Sequence, residues 1–281
     1  MTYYSIKIFS VLISVLPRKL IIKIAIFLGT LINSVFPKRK QVAMKNLSIA
    51  FPNKSIKDIK NIIKKTYQHY MIVLFDFLRH KSFDDKNIFI DKQTEKILST
   101  KNGLIFMTAH IGNWEMIIPI LNKYKKITAI AKVQKNSDGD RFISEMRNLN
   151  NVTLLPLGSS TLDMINALNN NQLLALASDQ NAGVKGVRVP FFGRELSIPK
   201  GAAYFYHKTQ LPIVIGFCIL NNDNTYTFKL EKLVFDNKYE NIEELFKEVG
   251  IKYNAILENK IKEYPEQYFW FHKKWDRKIY K

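Results

Sequence analysis

Between residues 104 and 220, short apolar runs typical of buried strands alternate with amphipathic stretches typical of helices. The predicted strands cover residues 104–109, 127–133, 153–156, 173–177 and 211–220, with a further strand at 225–233. Helical periodicity predicts helices over residues 55–79, 113–124, 140–148, 161–169, 201–208 and 240–264. This alternation predicts an α/β fold in which helices flank a central, mostly parallel sheet.

The strand-like run 104–109 leads directly into a histidine, His110, and a glutamate follows at Glu115. On a regular helix two residues with this spacing lie roughly 140° apart, so His110 must precede the helix if the two side chains are to meet. Gly112 suits the turn and Asn113 the N-cap, and the amides of such a helix start can face an oxyanion. The pair is typical of general-base chemistry, in which a carboxylate orients an imidazole.

A second polar pair, Asp179 and Gln180, follows the predicted strand 173–177. Ligands of parallel sheets gather at the carboxyl ends of the strands, where both His110 and Asp179 are predicted to lie. The alternative is that Asp179 only caps the next segment. Two arginines, Arg141 and Arg147, lie on the predicted helix 140–148, and a guanidinium there can bind phosphate or support an oxyanion.

The composition indicates an anionic partner. The chain has 281 residues, 47% of them hydrophobic, and 43 basic against 24 acidic residues give a formal charge of +19. Nucleic acid, anionic lipid head groups and an acidic carrier protein all match that charge. The single cysteine, Cys218, cannot form an internal disulfide, and no C-x-x-C pair suggests a metal, so we expect a reducing compartment.

Two apolar runs, residues 6–16 and 20–36, precede the basic cluster at residues 37–40. Neither run offers the roughly 20 clean apolar residues that a bilayer span needs. We expect residues 1–40 to form an uncleaved membrane anchor or an interfacial helical hairpin, with its basic flank on the cytoplasmic side. An ordinary pair of buried helices is the alternative, and a cleaved signal peptide is less well supported.

The segment 110–115, His-Ile-Gly-Asn-Trp-Glu, resembles the HxGNWE block of the bacterial lipid A biosynthesis acyltransferases of the lauroyl/myristoyl transferase type. Four further segments resemble blocks of the same family and keep its order along roughly residues 1–278. They are residues 46–52 (NLSIAFP), 177–180 (ASDQ), 189–194 (VPFFGR) and 269–275 (FWFHKKW). One short block is weak support for a family, whereas five in order are strong support.

The resemblance implies a lysophospholipid-acyltransferase-like catalytic domain over residues 41–281, following the anchor at residues 1–40. It implies transfer of a fatty acyl chain from an acyl carrier protein thioester, with acyl-CoA as the alternative donor, to a hydroxyl of a lipid A precursor at the cytoplasmic face of the inner membrane. His110 would be the general base, oriented by Glu115, and Arg147 or the helix-start amides would stabilise the oxyanion. The resemblance implies neither a metal nor a bound cofactor.

The expected contacts with substrate come from Gly112, Asn113, Arg141, Lys132, Asp179 and Gln180. Asp179 is expected to hold substrate or a neighbouring cation and not to act as the base. Related enzymes often carry an R-P-x-x-N element where this chain has residues 132–136. Lys132 keeps a positive charge there but lacks the fork of a guanidinium, which puts the acceptor contacts of this region in doubt.

Two other classes of function stay open. One is an acyltransferase of the same superfamily that acts on another lipid or glycolipid. The other, less favoured, is a non-enzymatic basic protein that binds membrane or nucleic acid, which would leave the 110–115 segment without a purpose. The aromatic and basic mixture at residues 268–278 suits a membrane interface or head group, a stacking surface for single strands, or a packed helix with a basic edge. We expect no nucleic-acid partner.

Overall fold

The structure is a computed structural model that describes residues 2–35, 37–79, 83–131, 134, 136–235, 239 and 241–280. It confirms the α/β fold with a central, mostly parallel sheet. The nine strands of the described residues are β1 Ile88–Ile90, β2 Leu104–Thr108, β3 Ile127–Ala131, β4 Val152–Pro156, β5 Leu173–Ala177, β6 Val187–Phe191, β7 Arg194–Ile198, β8 Ile213–Leu220 and β9 Tyr226–Lys232.

Seven of these strands form the central sheet, in the order β1-β9-β8-β2-β5-β3-β4. The neighbours from β8 to β4 pair in parallel, whereas β9 runs antiparallel to β8. The sheet therefore places β2 and β5 side by side at its centre, although β3 and β4 lie between them in the sequence.

The helices of the described residues cover both faces of the sheet. They are α1 Tyr3–Ser14, α2 Arg18–Val35, α3 Pro37–Ala50, α4 Ile56–Leu78, α5 Lys92–Leu98, α6 Ile117–Leu121, α7 Ser137–Arg147, α8 Thr161–Asn169, α9 Gly201–Thr209 and α10 Ile242–Glu263. In β2, Ile105 and Met107 join one hydrophobic cluster while Leu104 and Phe106 join another, because successive side chains of a strand point to opposite faces. Burial on both faces explains why the strands read as continuous apolar runs.

The predicted helix 113–124 is shorter in the structure. A 3-10 turn, Trp114–Met116, comes first, and α6 Ile117–Leu121 follows it. Pro119 lies in the first turn of α6, where its missing amide costs no intrahelical hydrogen bond.

A two-stranded hairpin, β6–β7, was not predicted from the sequence. Its turn residues Phe192 and Gly193 both have positive φ, 48° and 71°, as a two-residue hairpin turn of the primed type requires. Two features of the sequence argue against a hairpin here. Pro190 argues against a strand, and a phenylalanine is an unusual residue at positive φ.

The N-terminal helices α1 and α2 lie against α4 and α7. Gly29 marks the closest approach, since a Cβ at this position would lie 2.5 Å from the Cα of Gln68. No single described helix is long and apolar enough to cross a bilayer. The bent pair Arg18–Val35 and Arg39–Ala50, with 96° between its halves, passes that test by length and composition. The expected boundary at residue 40 falls within α3.

Candidate active site

The pairing of β2 with β5 brings His110 and Asp179 together. Thr108 lies opposite Ala177 in this parallel pair, so the residues two positions further along each strand lie on the same face of the sheet. The Nδ1 atom of His110 lies 2.7 Å from Oδ1 of Asp179. A carboxylate accepts the Nδ1 proton, which leaves the Nε2 lone pair free to take a proton from another group.

Asp179 is held as a carboxylate by a second partner. Its Oδ2 accepts a hydrogen bond of 2.7 Å from Nζ of Lys274, and the side chains of both residues are 0% exposed. Burial by itself raises the pKa of the Asp179 carboxyl, but Lys274 and His110 outweigh this effect and hold the pKa well below its usual range. Asp179 is therefore ionised beside His110 throughout the physiological range.

Glu115 does not meet His110, which corrects the expectation that it orients the imidazole. Its carboxylate accepts two hydrogen bonds from the guanidinium of Arg147, at 2.6 and 3.1 Å. It also accepts one of 3.0 Å from the indole of Trp114. Asp179 occupies the place predicted for Glu115, because the 3-10 turn Trp114–Met116 carries Glu115 towards α7. The expectation that Asp179 holds a neighbouring cation agrees with its contact with Lys274.

Aromatic rings enclose the imidazole of His110. The ring of Trp114 lies 5.4 Å from it and that of Phe269 lies 6.2 Å from it, centroid to centroid. Tyr70 packs against both of these rings, and its hydroxyl donates to the backbone carbonyl of His110 at 3.2 Å. Since the side chain of His110 is 22% exposed, the enclosure leaves an opening to the reactive nitrogen.

Gly112 and Asn113 form the scaffold beneath the histidine, and their contact with substrate stays a prediction. Gly112 has a φ of 62°, and a Cβ there would lie 2.0 Å from the carbonyl oxygen of Cys218. The amide of Gly112 donates to Gln267 and that of Asn113 to Cys218. The Asn113 side chain is buried and caps the 3-10 turn. Both amides are thus already engaged within the protein.

The other expected contacts fall at different distances from the histidine. The Nε2 atom of Gln180 lies 3.5 Å from Nε2 of His110, beside the nitrogen that would take the substrate proton. The guanidinium of Arg141 lies 4.1 Å from the centre of the Tyr3 ring, so it holds α1 against α7. Lys132 lies outside the described residues.

A cavity of about 170 Å³ lies beside Arg147, where β3 and β4 end. Ile143, Leu154 and Leu155 give it apolar walls, and Asp140 and Arg147 add charge. Among the residues that the structure describes, no group of three or more His, Cys, Asp or Glu side chains could hold a metal ion.

Comparison with known families identifies the chain. Residues 1–277 match the sequence model described as bacterial lipid A biosynthesis acyltransferase. The chain belongs to this family. It is an enzyme that transfers acyl groups, and its family acts in lipid A biosynthesis.

A comparison with solved structures found a distant similarity. A solved structure similar to this chain is the 1-acyl-sn-glycerophosphate acyltransferase PlsC of Thermotoga maritima, with 14% identity and a TM-score of 0.38. That similarity covers 84% of this chain and 98% of the other. No curated protein matches the sequence.

In this lipid A acyltransferase, sequence reasoning missed the contact of Lys274 with the site. Lys274 belongs to the aromatic and basic block 269–275, for which a membrane interface, a stacking surface and a packed helix with a basic edge were all left open. The structure places Trp270, Lys274 and Trp275 in the interior. One signal was present in the sequence, since Trp270 and Trp275 flank Lys274 and tryptophan is highly buried on average.

Proposed function

We propose that this lipid A acyltransferase moves a fatty acyl chain from an acyl carrier protein thioester to a hydroxyl of a lipid A precursor, as a secondary acylation in lipopolysaccharide biosynthesis. Family membership supports a lipid A-type acceptor. The single observation that carries the chemistry is the partly exposed imidazole of His110, whose Nδ1 is hydrogen-bonded to the ionised Asp179.

In the proposed reaction, Nε2 of His110 takes the proton of the acceptor hydroxyl as the oxygen attacks the thioester carbonyl. The C–O bond forms and the carbonyl becomes a tetrahedral oxyanion. When the intermediate collapses, the C–S bond breaks and the imidazolium returns its proton to the leaving thiolate. Asp179 stabilises the imidazolium between the two transfers, without becoming protonated itself.

The oxyanion needs a donor near Nε2 of His110. The backbone amides of Gly112 and Asn113 already donate to carbonyls of the protein. The side-chain amide nitrogen of Gln180, in contrast, lies 3.5 Å from Nε2 of His110. Gln180 is therefore our candidate for contact with the reacting groups. Arg147 keeps Glu115 and Trp114 in place and lines the neighbouring cavity, where it can attract an anionic part of a substrate.

The charge supports the proposed partners. A formal charge of +19 favours an acidic carrier protein as donor and a phosphorylated lipid as acceptor. The positive charge should increase the rate of association with these anionic partners, and added salt should reduce that increase. Direct transfer from one bound partner to the other requires no bound cofactor.

We also propose that residues 1–40 bind the cytoplasmic face of the inner membrane and that residues 41–281 carry the reaction. Along α1 and α2, large apolar side chains face outward: Ile8, Val11, Leu12, Val15, Phe27 and Leu31. Basic residues such as Lys7, Lys19 and Lys23 are interspersed with them. An apolar face with basic neighbours suits the surface of an anionic bilayer.

The test is an acyl-transfer assay in detergent with a tetra-acylated lipid A precursor and a panel of acyl carrier protein thioesters. We expect a mass gain of one acyl chain with the unchanged protein. His110→Gln should lower the rate by about 10²- to 10⁴-fold, the range for a general base. The control is His207→Gln on the exposed part of α9, which should leave the rate unchanged.

Two outcomes would contradict the proposal. If the unchanged protein transfers no chain to this precursor but acylates a lysophospholipid or glycolipid, the acceptor is wrong and the chemistry stands. If transfer survives His110→Gln, the proposed base is wrong.

A further inference from the structure

Lys274 is a charged residue in the interior, on the carboxyl-terminal segment that passes beneath the proposed base. Its ammonium makes two hydrogen bonds and lies over one aromatic ring. Nζ lies 2.7 Å from Oδ2 and 3.1 Å from the backbone oxygen of Asp179, and 4.5 Å from the centre of the Tyr268 ring. The lysine is thus fully committed to one aspartate and one aromatic face.

We propose that Lys274 is a positioning residue that orients Asp179 and sets how strongly this carboxylate attracts a proton to His110. The inference rests on the proposed function, in which His110 is the base. It adds a residue that does not touch substrate and acts only through Asp179.

Geometry supports the orienting part. The two oxygens of Asp179 have separate partners, His110 on Oδ1 and Lys274 on Oδ2. A carboxylate held at both oxygens cannot rotate about its terminal bond without losing both contacts. Lys274 therefore holds Oδ1 towards Nδ1 of His110 and favours the tautomer whose Nε2 is free.

Charge supports the second part. The ammonium of Lys274 offsets much of the negative charge that His110 would otherwise experience from Asp179. Without Lys274, the same carboxylate would attract the proton of the imidazolium more strongly.

Few other charged or titratable groups interact with this pair. Asp179 interacts electrostatically with the hydroxyls of Tyr70, Tyr253 and Tyr268, whose burial raises their pKa well above the usual value, so they stay neutral. It also interacts with His272, whose pKa is lowered by burial and by Lys274. The imidazole of His110 also interacts electrostatically with His272, and it lies beside the side-chain amide of Gln180 and the rings of Trp114 and Phe269.

The test compares Lys274→Met with Lys273→Met. Both changes remove one positive charge from adjacent positions, but Lys273 is exposed. In Lys274→Met, we expect the acidic limb of the pH–rate profile to move about one pH unit higher, as for a charge removed close to a titrating group. The Lys273→Met profile should keep its limb in place. A merely structural role for Lys274 would lower the rate at every pH without moving the limb.

A second readout needs no substrate. The imidazole signal of His110 can be followed by NMR against pH and assigned by its loss in His110→Gln, among only five histidines in the chain. We expect half-protonation at a higher pH in Lys274→Met than in the unchanged protein. An unchanged midpoint in the folded variant would overturn the inference. A shifted midpoint in a protein without lipid A acylation would support it while the proposed acceptor fails.

Lys274→Met leaves a buried carboxylate with one partner fewer and can prevent folding. The double variant Lys274→Met/Asp179→Asn removes both charges and covers that case. If Lys274 acts through Asp179, the double variant folds better than Lys274→Met alone. A double variant that folds no better would overturn the coupling.

Discussion

Among the residues that the structure describes, two aspartates are buried and each forms an ion pair with a lysine or an arginine, yet only one of them also contacts a histidine. Asp179 binds Lys274 and His110. Asp76 binds the guanidinium of Arg18 at 2.9 and 3.3 Å and accepts a hydrogen bond of 2.7 Å from Tyr226. Both carboxylates are buried, but the partner of Asp179 is a buried ammonium and that of Asp76 is a guanidinium that is 16% exposed.

The contacts of Asp179 lead to a partly exposed side chain, whereas those of Asp76 lead only to buried ones. From Asp179 the next residue is His110, whose imidazole is 22% exposed and has a second nitrogen to use. From Asp76 the contacts continue through Tyr226 to Asn113, and both of those residues are fully buried. A buried ion pair is therefore no sign of catalysis by itself. What matters is the next residue that the carboxylate contacts, because catalysis needs a reactive group that a substrate can reach.

The largest effect should come from Asp179→Asn. We expect the rate of acyl transfer to fall by about 10²- to 10⁴-fold, because an amide neither stabilises the imidazolium nor enforces the tautomer. The rate should be measured per folded protein, since Lys274 loses its counter-charge and stability falls as well. A variant that stays folded with nearly full activity would remove Asp179 from the proposed mechanism.

Asp76→Asn should lower the stability of the fold and leave the rate of acyl transfer nearly unchanged. Arg18 would be left partly buried without a counter-charge, so we expect the free energy of unfolding to fall by about 3–5 kcal/mol. The rate of the folded fraction should stay close to that of the unchanged protein. Denaturant unfolding and the assay, run on the same sample, check both points.

A control for Asp76→Asn is the double variant Arg18→Met/Asp76→Asn, which should recover part of the lost stability. A large loss of rate with intact stability would instead place Asp76 in the same class as Asp179.

His69 makes the scaffold beneath the active site sensitive to pH. Its Nε2 bonds the carbonyl of Gly112, and burial lowers its pKa to about 4 from 6.5. Between these two values the unfolded chain binds a proton that the folded chain does not. Stability therefore falls as the pH drops below 6.5, and the loss levels off below about 4. From about pH 7.5 to about pH 5 we expect a loss of about 2 kcal/mol.

This loss should be measured by denaturant unfolding at both pH values, with His69→Gln as the matched variant. Glutamine retains a donor for Gly112 but has no proton to gain, so its stability should depend less on pH. Equal pH dependence in the two proteins would mean that His69 is not buried in its neutral form.

Glu115→Gln should have the smallest effect. The change weakens a half-buried pair with Arg147 and loosens Trp114 against His110, so we expect a rate about tenfold lower. Combined with Arg147→Gln, the loss should be less than the product of the two separate losses. A loss as large as that of Asp179→Asn would return Glu115 to the role of partner of His110.

The local predictions for the strand and the turn around His110 agree with the structure. The positive φ of Gly112, the cap at Asn113 and the strand before His110 all follow from backbone sterics and side-chain periodicity. The choice of carboxylate did not follow from them. Glu115 is close to His110 in sequence, but the turn between the two residues points their side chains to different neighbours.

By itself the sequence determined the α/β class, the succession of strands and helices apart from the hairpin β6–β7, the turn that carries His110 and the family. These features depend on residues near one another in the chain. Only the tertiary structure decided that Asp179 meets His110 across 69 residues and that Lys274 meets Asp179 across 95. The physical reason is that such contacts depend on which strands are neighbours in the sheet and on where the carboxyl-terminal segment packs, and hydrophobic periodicity is the same for every strand order that buries both faces.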